Sequence, residues 1–170
     1  MPYLLDANVF IQAKNLHYGF DFCPAFWEWI LQQNAAGSVF SIEKVGDEIS
    51  AGVDDLAVWA SQRGPGFFIT PAAATPGSLG AVSVWATGAG YEPAAVNTFL
   101  QVADYYLVAE GHARGFVVVT HEVPSPSTRR IKIPNACLGV GVKFMTPYEM
   151  LRIEQARFVL GAGQPAQGTP

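Results

Sequence analysis

Only two cysteines occur in the 170 residues, Cys23 and Cys137. They lie far apart, with no CxxC pair and no histidine at ligand spacing, so the chain encodes neither a zinc site nor a disulfide framework, and both are expected to be buried free thiols. Charge is scarce as well. At 14% charged and 50% apolar residues, the composition excludes a disordered chain and fits one domain with a substantial core. Ten Lys and Arg against fourteen Asp and Glu give a net charge of −4 and a pI near 5.2. Such a surface does not hold nucleic acid by bulk attraction, which needs many cation–phosphate contacts, so any such role requires local basic groups or bound cations. No apolar run approaches the roughly 20 residues of a membrane span, and no basic stretch followed by an apolar core marks a signal peptide. A soluble, cytoplasmic protein is expected. There is no internal repeat and no glycine-rich phosphate loop. His17, His112 and His121 follow no Ser-His-Asp order and read as surface or loop residues.

What is present begins at Tyr3-Leu4-Leu5-Asp6. An apolar run enters a single carboxylate and resumes as Ala7-Asn8-Val9-Phe10, which puts Asp6 at the carboxyl end of a buried strand. Burial disfavours the ionised form unless a cation or hydrogen-bond donors support it. The first ten residues hold no such cation, so the partner must come from elsewhere in the chain.

Further along, Pro24 suits the first turn of a helix closed by Gly37, with Phe26, Trp29, Ile30 and Gln33 on one face and Trp27 offset. Ser41 can cap a second helix carrying Val45, Ile49, Val53, Leu56 and Ala60 at helical spacing, with Glu48 at the margin of the stripe and Glu43, Asp47, Asp54 and Asp55 on a solvated face. Residues 63–90 are rich in Gly, Pro and Ala and least legible. Phe67–Thr70 reads as extended, and Leu79–Trp85 as a short helix between loops. From Pro93 one helix with Val96, Phe99, Leu100, Ala103 and Leu107 on a face runs to about Gly111, and Asp104 falls at the rim of its apolar stripe. Gly115–Thr120 is a β-branched run typical of a parallel strand buried on both faces, followed by His121-Glu122. Residues 123–139 read as a proline-rich loop holding Arg129, Arg130 and Lys132. A last strand over Val140–Met145 leads to Thr146-Pro147-Tyr148-Glu149, a capping-box pattern, and a helix to about Leu160. The domain spans 1–160, and the Gly- and Pro-containing tail 161–170 is expected to be disordered. The four tryptophans read as core or dimer packing.

Strands alternating with helices predict an α/β fold with a central, mainly parallel sheet, whose sites form beyond the carboxyl ends of the strands. Asp6 and Glu122 belong there, and Asp104 and Glu48 can lean over the same edge. With no Lys or Arg close by in sequence, four gathered carboxylates would repel one another unless a divalent cation sat between them. Oxygen ligands without His or Cys favour Mg2+ or Mn2+ over zinc, which suits phosphoryl chemistry. Asp6 is expected nearest the centre of the cluster and Glu122 furthest from it.

The order and spacing of these residues resemble the PIN-domain (PIN-like) nuclease superfamily. Leu4-Leu5-Asp6-Ala7-Asn8 is similar to its opening strand and first acid, and Val45-Gly46-Asp47-Glu48-Ile49 to the helix with its second. The stretch from Asp104 through Ala109, Gly115 and Thr120 to Glu122 matches best. Lys132-Ile133-Pro134-Asn135-Ala136-Cys137 through Pro147 resembles a branch associated with bacterial toxin-antitoxin pairs. The resemblance covers most of residues 3–155 and is weakest from 63 to 93. It implies a three-layer α/β/α PIN-like fold and a Mg2+- or Mn2+-dependent endoribonuclease, the toxin of a pair restrained by a small antitoxin. Its metal ligands and catalytic acids would be Asp6, Glu48, Asp104 and Glu122, although Asp is more usual at the last position. Asn8 and Thr120 would orient carboxylates or water, and Arg129, Arg130 and Lys132 would meet RNA phosphates. Surplus aromatics leave room for a homodimer. The competing expectation is a binding module whose acidic pocket docks a basic partner segment or one structural ion. A phosphatase fits less well, because Asp6-Ala7-Asn8 lacks a second Asp.

Overall fold

The computed structural model describes residues 1–161. Five short strands form one all-parallel sheet in the order β3-β2-β1-β4-β5: β1 (Tyr3–Leu5), β2 (Val39–Ile42), β3 (Phe68–Ile69), β4 (Val117–Val119) and β5 (Phe144–Met145). Parallel neighbours need crossovers, and helices supply them, giving the expected three-layer α/β/α arrangement. The central pair is the most apolar: Tyr3, Leu4 and Leu5 register with Val117, Val118 and Val119, and all six are at most 2% exposed. From β1 the chain steps outward to β2 and β3, then returns to β4 on the opposite side. The edge between β1 and β4 is therefore the point where strand order reverses, the usual place for a site in an open parallel sheet. Asp6 and Thr120 are the first residues past these two strands, and the Asp6 amide donates to the Val119 carbonyl at 3.0 Å.

Helix α1 (Ala7–Gln12) starts directly after Asp6 and runs into a π-helical turn over Ala13–His17. Helix α2 (Pro24–Ala35) buries Phe26, Trp27 and Ile30. The offset Trp27 is thus part of the buried face while Trp29 is half-buried, because the Trp27 indole reaches back to donate to the Tyr18 carbonyl at 2.7 Å.

Several element boundaries differ from the sequence expectation. Ser41 is not a helix cap. It lies inside β2, fully buried, and its hydroxyl donates to the Leu5 carbonyl at 2.6 Å. The single helix expected after it is two, α3 (Glu43–Ser50) and α4 (Asp55–Ser61). Asp54 supplies the second start, accepting from the Ala57 amide at 3.0 Å, and Val53 in the break is wholly exposed. Helix α5 (Thr75–Gly88) is longer than expected. The helix from Pro93 is also two, α6 (Pro93–Phe99) and α7 (Ala103–Arg114), because Val102 is extended. Asp104 therefore occupies the first turn of a new helix rather than the middle of a long one. Gly115 closes α7 with φ of 68°, a left-handed conformation open to glycine at no steric cost.

The expected loop 123–139 ends in helix α8 (Ile133–Val140), with Pro134 in its first turn. This shortens β5 to two residues. Helix α9 (Pro147–Ile153) has the expected capping box, with the Thr146 and Glu149 side chains each bonded to the other's amide. It stops before Leu160, and Phe158 then packs against Tyr18, Phe26 and Trp29. The two cysteines are free, Cys137 buried and Cys23 half-buried. Among the described residues no helix is long and apolar enough to cross a membrane. Apart from Gly161, the tail expected to be disordered lies outside the described residues.

Candidate active site

The carboxyl edge between β1 and β4 brings together residues from four separate parts of the chain. Asp6 is 2% exposed. Its Oδ2 accepts a hydrogen bond from the Thr120 hydroxyl at 3.0 Å, and that hydroxyl in turn accepts from the Glu122 amide at 3.1 Å. Thr120, itself fully buried, ties the end of one central strand to the end of the other. Burial pushes the Asp6 carboxyl up to about 7; the charges of Asp104 and Glu122 add to the rise, and the Thr120 hydrogen bond opposes it.

Asp104 reaches this edge from the first turn of α7. A helix N-terminus favours an anion, yet its carboxyl is also raised, to about 6, chiefly by burial, then by Glu122 and Glu48, with Arg130 acting against the rise. Asp104 is thus raised by Glu122 and Glu48, and Asp6 by Asp104 and Glu122. Glu48 is exposed on α3 and shares a cleft of about 740 Å3 with Asn8, Lys44, Asp104, Arg129 and Arg130.

Glu122 differs from the other acids. One of its oxygens lies 2.9 Å from Arg130 and 3.4 Å from Lys132, and the other accepts from the Ile133 amide at 2.8 Å, at the start of α8. The absence of a cation near these carboxylates in sequence does not carry over into space: the basic loop folds back and neutralises Glu122. Arg130 and Lys132 thereby have protein partners, while Arg129 is mostly exposed with its nearest carboxylate, Glu92, at 3.7 Å.

A divalent cation fits part of this donor set. Among the described residues no three His, Cys, Asp or Glu side chains are gathered so as to hold one ion, so a closed all-protein cage is not built. Mg2+, however, is ordinarily held by one or two carboxylates, with water and substrate phosphate completing its shell. Asp6 and Asp104, two carboxylates that burial and mutual repulsion push toward protonation, make up that number.

Two features had no sequence signal. Lys44 lines the cleft and lies 4.7 Å from the centre of the Tyr106 ring; nothing separates it in sequence from other exposed lysines. His17, His121 and Tyr148 converge, with the Tyr148 hydroxyl 2.8 Å from His17 Nε2 and the two imidazole centroids 5.6 Å apart. They come from the π-helical turn, the residue after Thr120 and the start of α9, so only the fold unites them. Burial and His17 lower the His121 pKa. His112, on α7, meets the Ser78 hydroxyl through Nδ1 at 2.8 Å.

The fold is thus an open parallel α/β sheet with an acidic pair at its switch point and a mixed-charge cleft beside it. The chain belongs to the DUF4411 family, described as a domain of unknown function, whose model matches residues 3–158. No curated protein and no solved structure matches it.

Proposed function

We propose that the chain is a metal-dependent endoribonuclease that hydrolyses RNA phosphodiester bonds in the cytoplasm, with Mg2+ or Mn2+ at Asp6 and Asp104. The observation that carries this reading is the coupling of those two carboxylates. They come from opposite halves of the chain, and both are raised by burial and by neighbouring acids, a state that a cation would relieve. A perturbed acid in a cleft is a functional-site candidate, and Asp104 lines the cleft. The role as a toxin restrained by a small antitoxin rests on the resemblance to PIN-like nucleases.

A bound divalent ion would lower the pKa of a coordinated water and offset charge on the scissile phosphate. The chain's own residues do the rest. Thr120 restrains Asp6 by donating to its Oδ2, and the Asp6 carboxylate would be one of the groups holding the ion. Asp104, from the first turn of α7, would supply the second carboxylate, and Glu48 adds negative charge beside it. Arg129 and Arg130 draw the RNA phosphate into the cleft, supplying locally the positive charge that the chain as a whole lacks. Glu122, held by Lys132, Arg130 and the Ile133 amide, anchors the basic loop beside the acids and does not have to ligate.

The test is cleavage of a structured RNA by purified protein with Mn2+, with chelator, and with Asp6→Asn and Asp104→Asn. Loss of at least about 100-fold in each variant, the scale of removing a ligand or its support, is expected, together with loss in chelator. Undiminished cleavage in either variant would overturn the assignment. A second reading, a binding module, is favoured by the lack of a three-ligand cage among the described residues. It predicts a folded protein that binds RNA or a partner without cutting RNA under any metal condition.

A further inference from the structure

The cleft beside Asp104 is much larger than an ion and its waters require: about 740 Å3, against about 30 Å3 for a water molecule in the liquid. Much of its lining carries no charge. Helix α6 and the link to α7 contribute Ala94, Ala95, Thr98, Phe99, Gln101 and Val102. Ala94 and Thr98, four residues apart, lie on one face of α6, and Gln101 lines the same cleft from the turn that follows the helix. Phe99 is 3% exposed and Val102 40%, which gives an apolar floor and edge. Thr98 and Gln101 are exposed and bring a hydroxyl and an amide with both donor and acceptor capacity.

We propose that this wall receives one unpaired base of single-stranded RNA beside the phosphate drawn in by Arg129 and Arg130, with Gln101 and Thr98 reading the edge of the base; the inference rests on the ribonuclease reading above. A nucleotide combines an anionic phosphate with a flat, apolar-faced base whose rim carries donors and acceptors. The cleft combines exposed guanidinium groups with an Ala, Phe and Val surface that carries one amide and one hydroxyl. A basic peptide is a poorer fit, because Lys44, Arg129 and Arg130 share the cleft with Glu48 and Asp104 and would repel it. A duplex is excluded for another reason. Its bases are stacked and their edges paired, so a base enters a concave pocket only after unstacking, at a cost of a few kcal/mol. Base selection at the cut then follows from the wall, while bond cleavage follows from the acids.

Two measurements on the full-length chain separate these parts. Cleavage of a random-sequence single-stranded RNA pool with Mn2+, read by sequencing the new ends, reports base preference at the cut. Binding of labelled A8, C8, G8 and U8 oligoribonucleotides and of an eight-base-pair RNA duplex to the Asp104→Asn protein reports it without chemistry. The unmodified wall should favour one base by about 10-fold, as one good base-edge contact provides, and bind single strands about 10-fold more tightly than the duplex. In Gln101→Leu and Thr98→Val that preference should fall to about 2-fold or less, with thermal midpoints showing that each variant is folded. Base preference unchanged in both folded variants, equal binding of all four oligonucleotides, or equal binding of the duplex would each overturn the base site. Base-selective binding abolished by Gln101→Leu, with no cleavage of any RNA, would uphold the base site and overturn the ribonuclease reading alone.

Discussion

Replacing Asp6 by asparagine should stabilise the metal-free protein at neutral and alkaline pH while abolishing cleavage. In the folded chain Asp6 keeps its proton up to about pH 7, against 3.8 for an ordinary Asp carboxyl. Between those values the folded state binds a proton that the unfolded state has released, so each rise in pH favours unfolding until about pH 7, above which the effect is constant. At about 1.4 kcal/mol per pH unit, the whole interval is worth about 4 kcal/mol. Local relaxation and water entry reduce that, so about 2–4 kcal/mol is the working range. Asn has the same shape and can accept the Thr120 hydroxyl bond through Oδ1, but never ionises. Its advantage should therefore grow by about 2 kcal/mol between pH 5 and pH 8. Asp104, raised to about 6 for related reasons, titrates together with Asp6, so the variant also relieves part of its strain. Urea unfolding followed by tryptophan fluorescence in chelator, at pH 5, 6.5 and 8, measures the trend. Adding Mg2+ at pH 8 should then restore the wild-type protein, by about 2.7 kcal/mol at 100 times its Kd, and leave Asp6→Asn unmoved. An asparagine variant less stable than wild type at pH 8, or an advantage that does not change with pH, would refute the view that Asp6 is an unsupported buried acid.

Two further predictions concern the frame that holds the site. Glu110 is 2% exposed, accepts from the Thr75 hydroxyl at 2.6 Å and the Ala72 amide at 3.1 Å, and pairs with Arg114; Glu110→Ala leaves these donors unanswered and should cost about 3 kcal/mol in urea unfolding, a cost under 1 kcal/mol meaning that water replaces the carboxylate. Gly139 on α8 lies so close to the Trp85 indole that an added Cβ would overlap Nε1, so Gly139→Ala should lower stability by about 1–3 kcal/mol and shift tryptophan emission, and an unchanged thermal midpoint would mean that α5 and α8 pack less closely than described.

The sequence displays the sheet edge far better than it displays the helices. Tyr3–Leu5 and Val117–Val119 are legible because strands buried on both faces need apolar residues at every position, and Asp6 and Thr120 stand out as the first polar residues after them. Strand β2 was hidden, since Ser41 looks like a helix cap until the Leu5 carbonyl that receives its hydroxyl is known. Helix breaks were hidden for a different reason. Val53 continues the apolar period of α3, and Ala103 and Leu107 continue that of α6, yet the chain breaks at Val53 and at Val102, and the compensating cap at Asp54 is one of four similar acids in its neighbourhood. Period alone cannot distinguish one long helix from two collinear-looking short ones. Helix α8 was read as a loop because Pro134 was counted among the prolines before it, although a first-turn proline is compatible with a helix.

The same distinction governs the acids. Their presence at one edge follows from strand ends and helix starts, which are local features, but their charge states depend on cations that only the fold brings near. Arg130 and Lys132 reach back eight and ten residues to Glu122, which leaves Asp6 and Asp104 as the pair without a comparable cationic contact. The four acids are therefore not equivalent: Glu122 is supported by cations, Glu48 is exposed, and Asp6 and Asp104 are the pair whose carboxyls are raised. On the proposed ribonuclease reading, Arg130 can turn toward an RNA phosphate while Glu122 keeps Lys132 and the Ile133 amide. The residue that departs from the usual Asp is thus suited to this arrangement. A longer side chain lets Glu122 reach the start of α8 and hold Arg130 and Lys132 there, although its charge still raises both Asp6 and Asp104.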